Sequence, residues 1–364
     1  MDTSPNRRFE TIQKERCLLV NRYLFYINEL YGFSIVRPLQ RAIISRGDKV
    51  AWFLEDKDRL EKYLQPYEEH LKSVKEVQEY NPRAVFVPGN MVPDFFPGLK
   101  VEIFHGFHVR KRKNSRGHFR IRNCFDLYCT QGPETTKPFL ELARKHGFFE
   151  VVETGWSKMD PLFWETQDPE LEKDRPTILF TSTFTPRLSA APVLFKQIQI
   201  MAKKGNWKWI VNLHPKMNRD IVARYQSIKN KNLAFIETDD IIPLLKRADC
   251  MVSDTTSVIL EFILLNKPVV TFKNRVPSPY MLNIKDPSKI EKTIQYALSY
   301  PPDLMNEIKS YADLVHPYRD GKSSERILRA TDLLIQKGIS HLKSKPLNLV
   351  RRIKIRKRLG YYRL

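Results

Sequence analysis

Cysteine is scarce in this chain. Cys17, Cys124, Cys129 and Cys250 are the whole set among 364 residues, and they stand at no metal-ligand spacing. That excludes a disulfide framework or a zinc ribbon, and the thiols are expected to be reduced in a cytosolic protein. Long apolar runs are missing too. No segment reaches the ~20 consecutive apolar residues that span a bilayer. The opening MDTSPNRRFETIQKE has no apolar core of a signal peptide. A soluble or peripheral chain is expected, not an integral one. The sequence also lacks GxGxxG, the GxxxxGK phosphate loop, GxSxG and HExxH, and its eight histidines form no ligand pattern. No metal site and no cofactor are therefore expected. Acid is short as well: 41 Asp and Glu stand against 62 Lys and Arg, a formal charge of +21. Such an excess implies an anionic partner, whether nucleic acid, a phospholipid surface or a phosphorylated substrate.

What is present is alternation. Strands are predicted at 23–27, 49–54, 84–87, 101–104, 125–129 and 149–153, with helices at 36–46, 57–80 and 134–145. Residues 156–176 break the pattern with three prolines and read as a linker. The alternation then resumes, with strands at 177–180, 208–213, 233–236, 250–252 and 268–272 and helices at 191–203, 218–227 and 241–247. Three further helices, 287–299, 302–315 and 323–337, follow. Strands alternating with helices build parallel, doubly wound sheets. The fold class is α/β, with two such domains facing across a cleft. Their bounds are placed at 1–160 and 177–340, with 161–176 between them and a tail at 341–364. The tail carries nine basic residues and no acidic one, interleaved with Leu347, Leu349, Val350, Ile353, Ile355 and Leu359. A basic amphipathic segment of this kind is expected on an anionic membrane surface; the plain alternative is a solvated, frayed end.

One stretch stands out, Val252 to Phe262. A short apolar strand runs into Ser253, Asp254, Thr255, Thr256 and Ser257, and an almost wholly apolar helix follows. Asp254, Ser257 and Glu261 fall three and four apart, on one helical face. Hydroxyls and backbone amides here suit a nucleotide diphosphate, with Glu261 on ribose hydroxyls. The competing reading is a core helix with Asp254 as its N-cap. In open parallel sheets ligands sit beyond the carboxyl ends of strands, which points to His105-Gly106, His214-Pro215 and the stretch ending in Thr183. A lone histidine in such a place is usually structural, whereas one per domain favours a shared site. The loop after His105 is basic from Arg110 to Arg122, Lys111 among its residues, and suits an anionic acceptor or lipid headgroups. An RNA clamp is the weaker alternative, because no nucleic-acid motif accompanies it and aromatic interleaving is thin.

Several stretches occur together in a recognisable order: His105-Gly106 with Lys111, Thr154-Gly155 with Lys158 and Asp160, Leu213-His214-Pro215, Ser253 to Ser257, Lys267-Pro268, and Asp320 to Arg326. The set resembles the CDP-glycerol glycerophosphotransferase family of teichoic-acid-type polymer synthesis, over roughly residues 100–335. The resemblance implies a GT-B fold whose second domain holds the nucleotide. It implies transfer of a polyol phosphate, typically glycerol phosphate, from a CDP-activated donor to a hydroxyl of a membrane-bound glycolipid or polymer, at the cytoplasmic face, with release of CMP. It casts His105 and His214 as the functional histidines. Thr183 and Arg187 match loosely the family's Pro-Thr-x-Arg turn and would add to phosphate binding, with Gly106 and Lys111 on the acceptor side. Phe107 departs from the family's His-Gly-Thr. Two alternatives stay open: another GT-B enzyme using a UDP-sugar, either a glycosyltransferase or a 2-epimerase, and a non-enzymatic RNA- or membrane-binding adaptor. No oligomeric state follows from the sequence.

Overall fold

Runs such as Tyr23–Ile27 are apolar without alternation, so both faces of the strand must be covered. The computed structural model describes residues 20–107, 117–165, 174–238 and 240–362, and it meets that requirement with two parallel sheets. The first joins β1 (Arg22–Ile27), β2 (Lys49–Leu54), β3 (Glu69–His70), β4 (Ala84–Val87), β5 (Leu99–Glu102), β6 (Leu127–Thr130) and β7 (Glu150–Glu153) in the order β3-β2-β1-β4-β5-β6-β7. The second joins β8 (Thr177–Ser182), β9 (Lys208–Leu213), β10 (Leu233–Phe235), β11 (Cys250–Ser253), β12 (Val269–Phe272) and β13 (Leu282–Ile284) in the order β10-β9-β8-β11-β12-β13. Each order reverses once, between β1 and β4 in the first sheet and between β8 and β11 in the second. Those reversals open crevices at the carboxyl edges.

Helices sit where local chemistry starts and stops them. The first, α1 (Gly32–Ser45), buries Ile35, Val36, Leu39 and Ile43 at helical spacing. The stretch 57–80, expected as one helix, is broken. It holds α2 (Lys57–Leu60), a 3-10 turn, β3 and α3 (Val74–Tyr80). Pro66 disfavours helix in the residue before it. Ser73 caps α3: its Oγ accepts from Glu76 N at 3.2 Å, and Glu76 Oε2 accepts from Lys72 N, just before the cap, at 2.9 Å. Next, α4 (Pro133–His146) starts with proline and ends at left-handed Gly147. The strand expected at 101–104 lies two residues earlier, so His105 follows β5 after a bend in which Phe104 has φ of 59°.

The segment expected to be a linker begins as a buried element. Trp156, Ser157, Met159 and Asp160 are all buried, and α5 (Asp160–Phe163) follows. The second sheet carries α6 (Ala191–Lys204), α7 (Arg219–Ser227), α8 (Ile242–Arg247), α9 (Val258–Ile263) and α10 (Ile290–Ala297). The last large helices return to the first sheet. There α11 (Pro302–Val315) packs on α4, and α12 (Ser323–Lys337) packs on α1, β5 and β6. One continuous core therefore runs from Tyr23, Phe25 and Trp52 of the first sheet through Leu328 to Leu260 and Met251 of the second half. No helix among the described residues is long and apolar enough to cross a membrane.

The tail is docked, not frayed. Its helix α13 (Leu349–Arg358) buries Ile355. Arg356 reaches Asp94 at 2.7 Å, Arg358 pairs with Glu55, and Tyr361 stacks on Phe95 with ring centroids 4.5 Å apart. Arg356 and Arg358 thus pair with protein, while Leu347, Leu349, Val350 and Ile353 stay about 59–70% exposed, with Lys354 and Lys357 also exposed.

Asp160 latches the returning helix. Its two oxygens accept from Ser323 N and Ser324 N, both at 2.7 Å, at the buried start of α12. Burial raises the Asp160 pKa against these bonds. Gly155, beside the latch at φ of 81°, leaves no room for a Cβ against Ser323 Oγ. Asp160→Ala should strand two buried N–H donors and cost on the order of 3 kcal/mol. Urea unfolding checks this; a loss under ~1 kcal/mol would show the latch to be incidental.

Candidate functional site

The carboxyl edge of the second sheet holds a cavity of about 770 Å³. Its walls include Thr183 after β8, Thr255 and Thr256 after β11, and Asn274, Arg275, Val276 and Ser278 after β12. This is the switch point of that sheet, between β8 and β11. A closing wall comes from Glu307, Ser310, Tyr311 and Leu314 on one face of α11. Size and placement suit a bound nucleotide-sized ligand.

Asp254 builds the rim without lining it. The residue is fully buried. Its Oδ2 accepts from Ser182 Oγ at 2.5 Å and Ala190 N at 3.0 Å, and its Oδ1 from Thr255 N at 2.6 Å. Thr183 N lies 3.1 Å from both oxygens. Burial raises its pKa while these donors oppose the shift. One carboxylate therefore fixes the loop after β8, the start of α6 and the loop after β11. Ser253 is buried behind it, 3.0 Å from Thr181 Oγ1. The polar stripe expected of Asp254, Ser257 and Glu261 does not form. Helix α9 starts only at Val258, with Ser257 as its N-cap, so Asp254 lies outside the helical register and turns toward the β8 loop. Ser257 is exposed. Glu261 is buried and takes Lys158 Nζ at 2.5 Å on Oε1, while its buried Oε2 has no partner. Arg187 is exposed and is not part of the cavity wall.

His105 occupies the corresponding crevice of the first sheet. Its Nδ1 lies 3.1 Å from the Pro88 carbonyl, just past β4, and its ring stacks on Tyr31 at 5.2 Å. A carbonyl only accepts, so Nδ1 carries the proton and Nε2 keeps its lone pair. Desolvation lowers the His105 pKa below the ordinary imidazole value, and the Arg122 guanidinium adds to this. Gly106 is held by Gln131 Nε2 on its carbonyl at 2.7 Å. Lys111 lies outside the described residues. His214 follows β9 and packs on Phe184, centroid to centroid 4.5 Å. Its Nδ1 accepts from Lys216 N at 3.0 Å, so the neutral ring carries its proton on Nε2. Burial, then Lys216, lowers its pKa. The two histidines are thus held in opposite tautomers.

Three contacts tie the crevices together. Lys158 bonds Glu261, Tyr311 Oη reaches Glu134 of α4 at 3.3 Å, and Phe107 packs on both Trp156 and His316. Phe107 therefore fills the junction core and is itself buried. Among the described residues no group of His, Cys, Asp and Glu could hold a metal ion.

Several site residues were not anticipated. Asn274 donates from Nδ2 to the Asp254 carbonyl at 2.6 Å and shapes the cavity edge; it and Arg275 follow β12, where the strand-end rule would have found them. Glu307, Ser310 and Tyr311 carry no such signal, since only tertiary packing brings α11 to the cavity. Tyr280 stacks flat on Tyr311 at 4.1 Å. Glu102, at the end of β5, is buried near Arg122, and burial pushes its carboxyl up to about 8.

Two parallel sheets with reversals facing a common core, and a nucleotide-sized cavity in the second, define a two-domain α/β protein of the GT-B class. The chain belongs to the CDP-glycerol:poly(glycerophosphate) glycerophosphotransferase family, whose profile matches residues 105–331. It is 27% identical over 174 residues to the teichoic acid glycerol-phosphate primase of Bacillus subtilis strain 168, a stretch covering 43% of this chain and 44% of the primase. The match thus spans less than half the length of that relative. In fold it is similar to the wall teichoic acid polymerase TagF, with a TM-score of 0.61 at 14% identity over 87% of this chain and 89% of the other. A UDP-N-acetylglucosamine 2-epimerase aligns with a TM-score of 0.57 at 15% identity, over 90% and 98% of the two chains.

Asp254→Ala should leave four donors of the rim unpaired and destabilise the fold by on the order of 3 kcal/mol or more. Thermal unfolding with and without nucleotide reads both losses; an unchanged midpoint would remove Asp254 from its structural role.

Proposed function

We propose that the protein transfers a polyol phosphate, most simply glycerol phosphate, from a CDP-activated donor to a hydroxyl of a membrane-associated acceptor, releasing CMP. The opposite tautomers of the two histidines carry this reading. His105 presents an unprotonated Nε2, which suits a general base, and His214 presents Nε2–H, which suits a donor to phosphate oxygen. The acceptor oxygen attacks the β-phosphorus of the donor as its proton passes to His105 Nε2. The bond from that phosphorus to the bridging oxygen breaks, and CMP leaves with the electron pair. His214 stabilises charge on the transferring group. Catalysis of this type is mostly positioning and charge stabilisation.

In this reading 177–340 is the donor side and 1–160 the acceptor side. Thr183, Thr255 and Thr256 hold the diphosphate in the 770 Å³ cavity, and Arg275, whose backbone N–H donates to Thr255 Oγ1 at 3.3 Å and whose guanidinium has no partner among the described residues, adds a cation there. Ser253, Asp254 and Ser257 hold the loop in shape, and Arg187 approaches the phosphates from the exposed loop. A ribose hydroxyl would satisfy the orphaned Glu261 Oε2. Gly106 and Lys111 serve the acceptor side. The exposed apolar row of α13, with Lys354 and Lys357 beside it, supports seating on an anionic membrane at the cytoplasmic face. No observation favours nucleic acid as the partner.

With CDP-glycerol as donor, His105→Ala should lower kcat by ~10²–10⁴-fold while nucleotide binding persists. Because the His105 pKa is lowered, the base form is present at neutral pH, and kcat/KM should fall only on an acid limb below about 6.5. His214→Ala should cost ~10²–10³-fold without erasing that limb. A His105→Ala enzyme within tenfold of the parent, or an acid limb that survives in it, would overturn the assignment.

A further inference from the structure

Beneath the docked tail lies a second cavity, about 130 Å³, between α13 and the first sheet. Four cations border it, Lys100, Lys345, Arg351 and Arg352, against one carboxylate, Asp94. By the probe-volume measure a single water needs about 10–15 Å³, so a group of several heavy atoms fits. The cations are poorly matched by acid. Asp94 is shared between Arg352 at 3.6 Å and Arg356 at 2.7 Å. Lys345 takes Asp126 at 2.5 Å, outside the cavity wall. The Lys100 backbone N–H donates to Asp126 Oδ2 at 2.8 Å, but its amine has only carbonyl partners, Phe96 at 2.5 Å and Gly98 at 2.7 Å. Two of its three ammonium protons are thereby used and one is left. Arg351 gives one N–H to the Arg122 carbonyl and also bonds the Cys124 side chain, which leaves part of its five-donor fork. Burial pushes the Lys100 amine down to about 8, with Lys345 adding repulsion against the pull of Asp126. An excess of cations enclosed in low dielectric is relieved by a dianion. The other side of the same helix is the exposed row Leu349, Val350 and Ile353, each about 59–70% exposed.

We propose that this cavity binds the terminal phosphate monoester of a membrane lipid, seated while the apolar row of α13 enters the bilayer. The proposal rests on the membrane seating argued above and adds a headgroup selectivity to it. Generic attraction treats all basic residues alike, at about 1 kcal/mol or fivefold per cation near the surface. An enclosed site instead discriminates among headgroups of equal charge. It also lies beside the acceptor crevice, because Arg122, whose carbonyl takes Asn348 Nδ2 at 2.9 Å and Arg351, holds Asn90 at 2.8 Å next to the Pro88–His105 contact.

The test is flotation of the full chain on vesicles doped with phosphatidic acid or phosphatidylglycerol, matched in zeta potential. Three proteins are compared: the parent, Arg352→Gln at the cavity and Lys354→Gln on the exposed side of the helix. The parent should prefer phosphatidic acid at least about fivefold, a margin set by one further ion pair. Arg352→Gln should bring the two vesicle types within twofold of one another, and Lys354→Gln should weaken both alike and keep the preference. Arg352→Lys, which keeps the charge, should retain part of it and guards against a folding defect. Equal binding of the parent to both vesicles overturns the cavity but leaves the membrane seating intact. Binding to neither overturns both. Inorganic phosphate at millimolar concentration offers the same dianion and should shrink the preference; a preference that it leaves untouched would take the phosphate group out of the cavity and overturn the proposal.

Discussion

The buried carboxylate of Asp254 is the interaction on which the cavity of the second sheet depends. Three backbone N–H groups and one hydroxyl converge on it from two strand-end loops and the start of a helix. None of these groups could be buried without an acceptor, since each unmet donor costs about 1–3 kcal/mol. The acid is therefore not at the ligand. It is what allows Thr183, Thr255 and Thr256 to stand at the edge of an open cavity instead of collapsing onto one another. Asp160 plays the same part at the junction, where it holds the start of α12 and so brings the end of the chain back to the first sheet. Between them these two carboxylates convert a pair of sheets into two crevices with a defined relation.

From that frame the histidines acquire their chemistry. Each follows a strand next to a sheet reversal, and in each the Nδ1 is spent on backbone. The sense of that bond differs. A carbonyl fixes the proton on Nδ1 of His105, and an amide fixes a lone pair on Nδ1 of His214. The same side chain is thereby turned into an acceptor in one half and a donor in the other, without any acidic partner. Both rings are pushed toward the neutral form, which is the form in which the tautomer matters.

Much of the fold was legible because parallel strands buried on both faces leave uninterrupted apolar runs. Where the run was broken, the reading slipped. Lys100 inside β5 hid the start of that strand, because its amine is held by the Phe96 and Gly98 carbonyls, which no pattern shows. Pro66 within 57–80 was the available signal for a broken helix. The strand-end rule leads to Thr255, which lines the cavity, while His105 and His214 stand at strand ends outside its wall. The cavity was illegible at Tyr280, Glu307 and Tyr311, which reach it only through the packing of α11. Periodicity alone put Asp254 and Glu261 on one face, but helix α9 is too short to include both. The tail's charge and its interleaved apolar residues are visible in the sequence, whereas the docking of Arg356 on Asp94 and Arg358 on Glu55 is a tertiary fact that no pattern shows.

The central claim is that the cavity at the second sheet's switch point holds a cytidine diphosphate. Thermal unfolding of the purified chain with CDP, UDP and GDP at equal concentration tests it most directly. At 100 times the dissociation constant a ligand adds about 2.7 kcal/mol of stability. The account predicts stabilisation of that order with CDP, clearly less with UDP and GDP, and its loss when Thr255 and Thr256 are replaced by valine. Equal stabilisation by UDP, or none by any of the three, would contradict it.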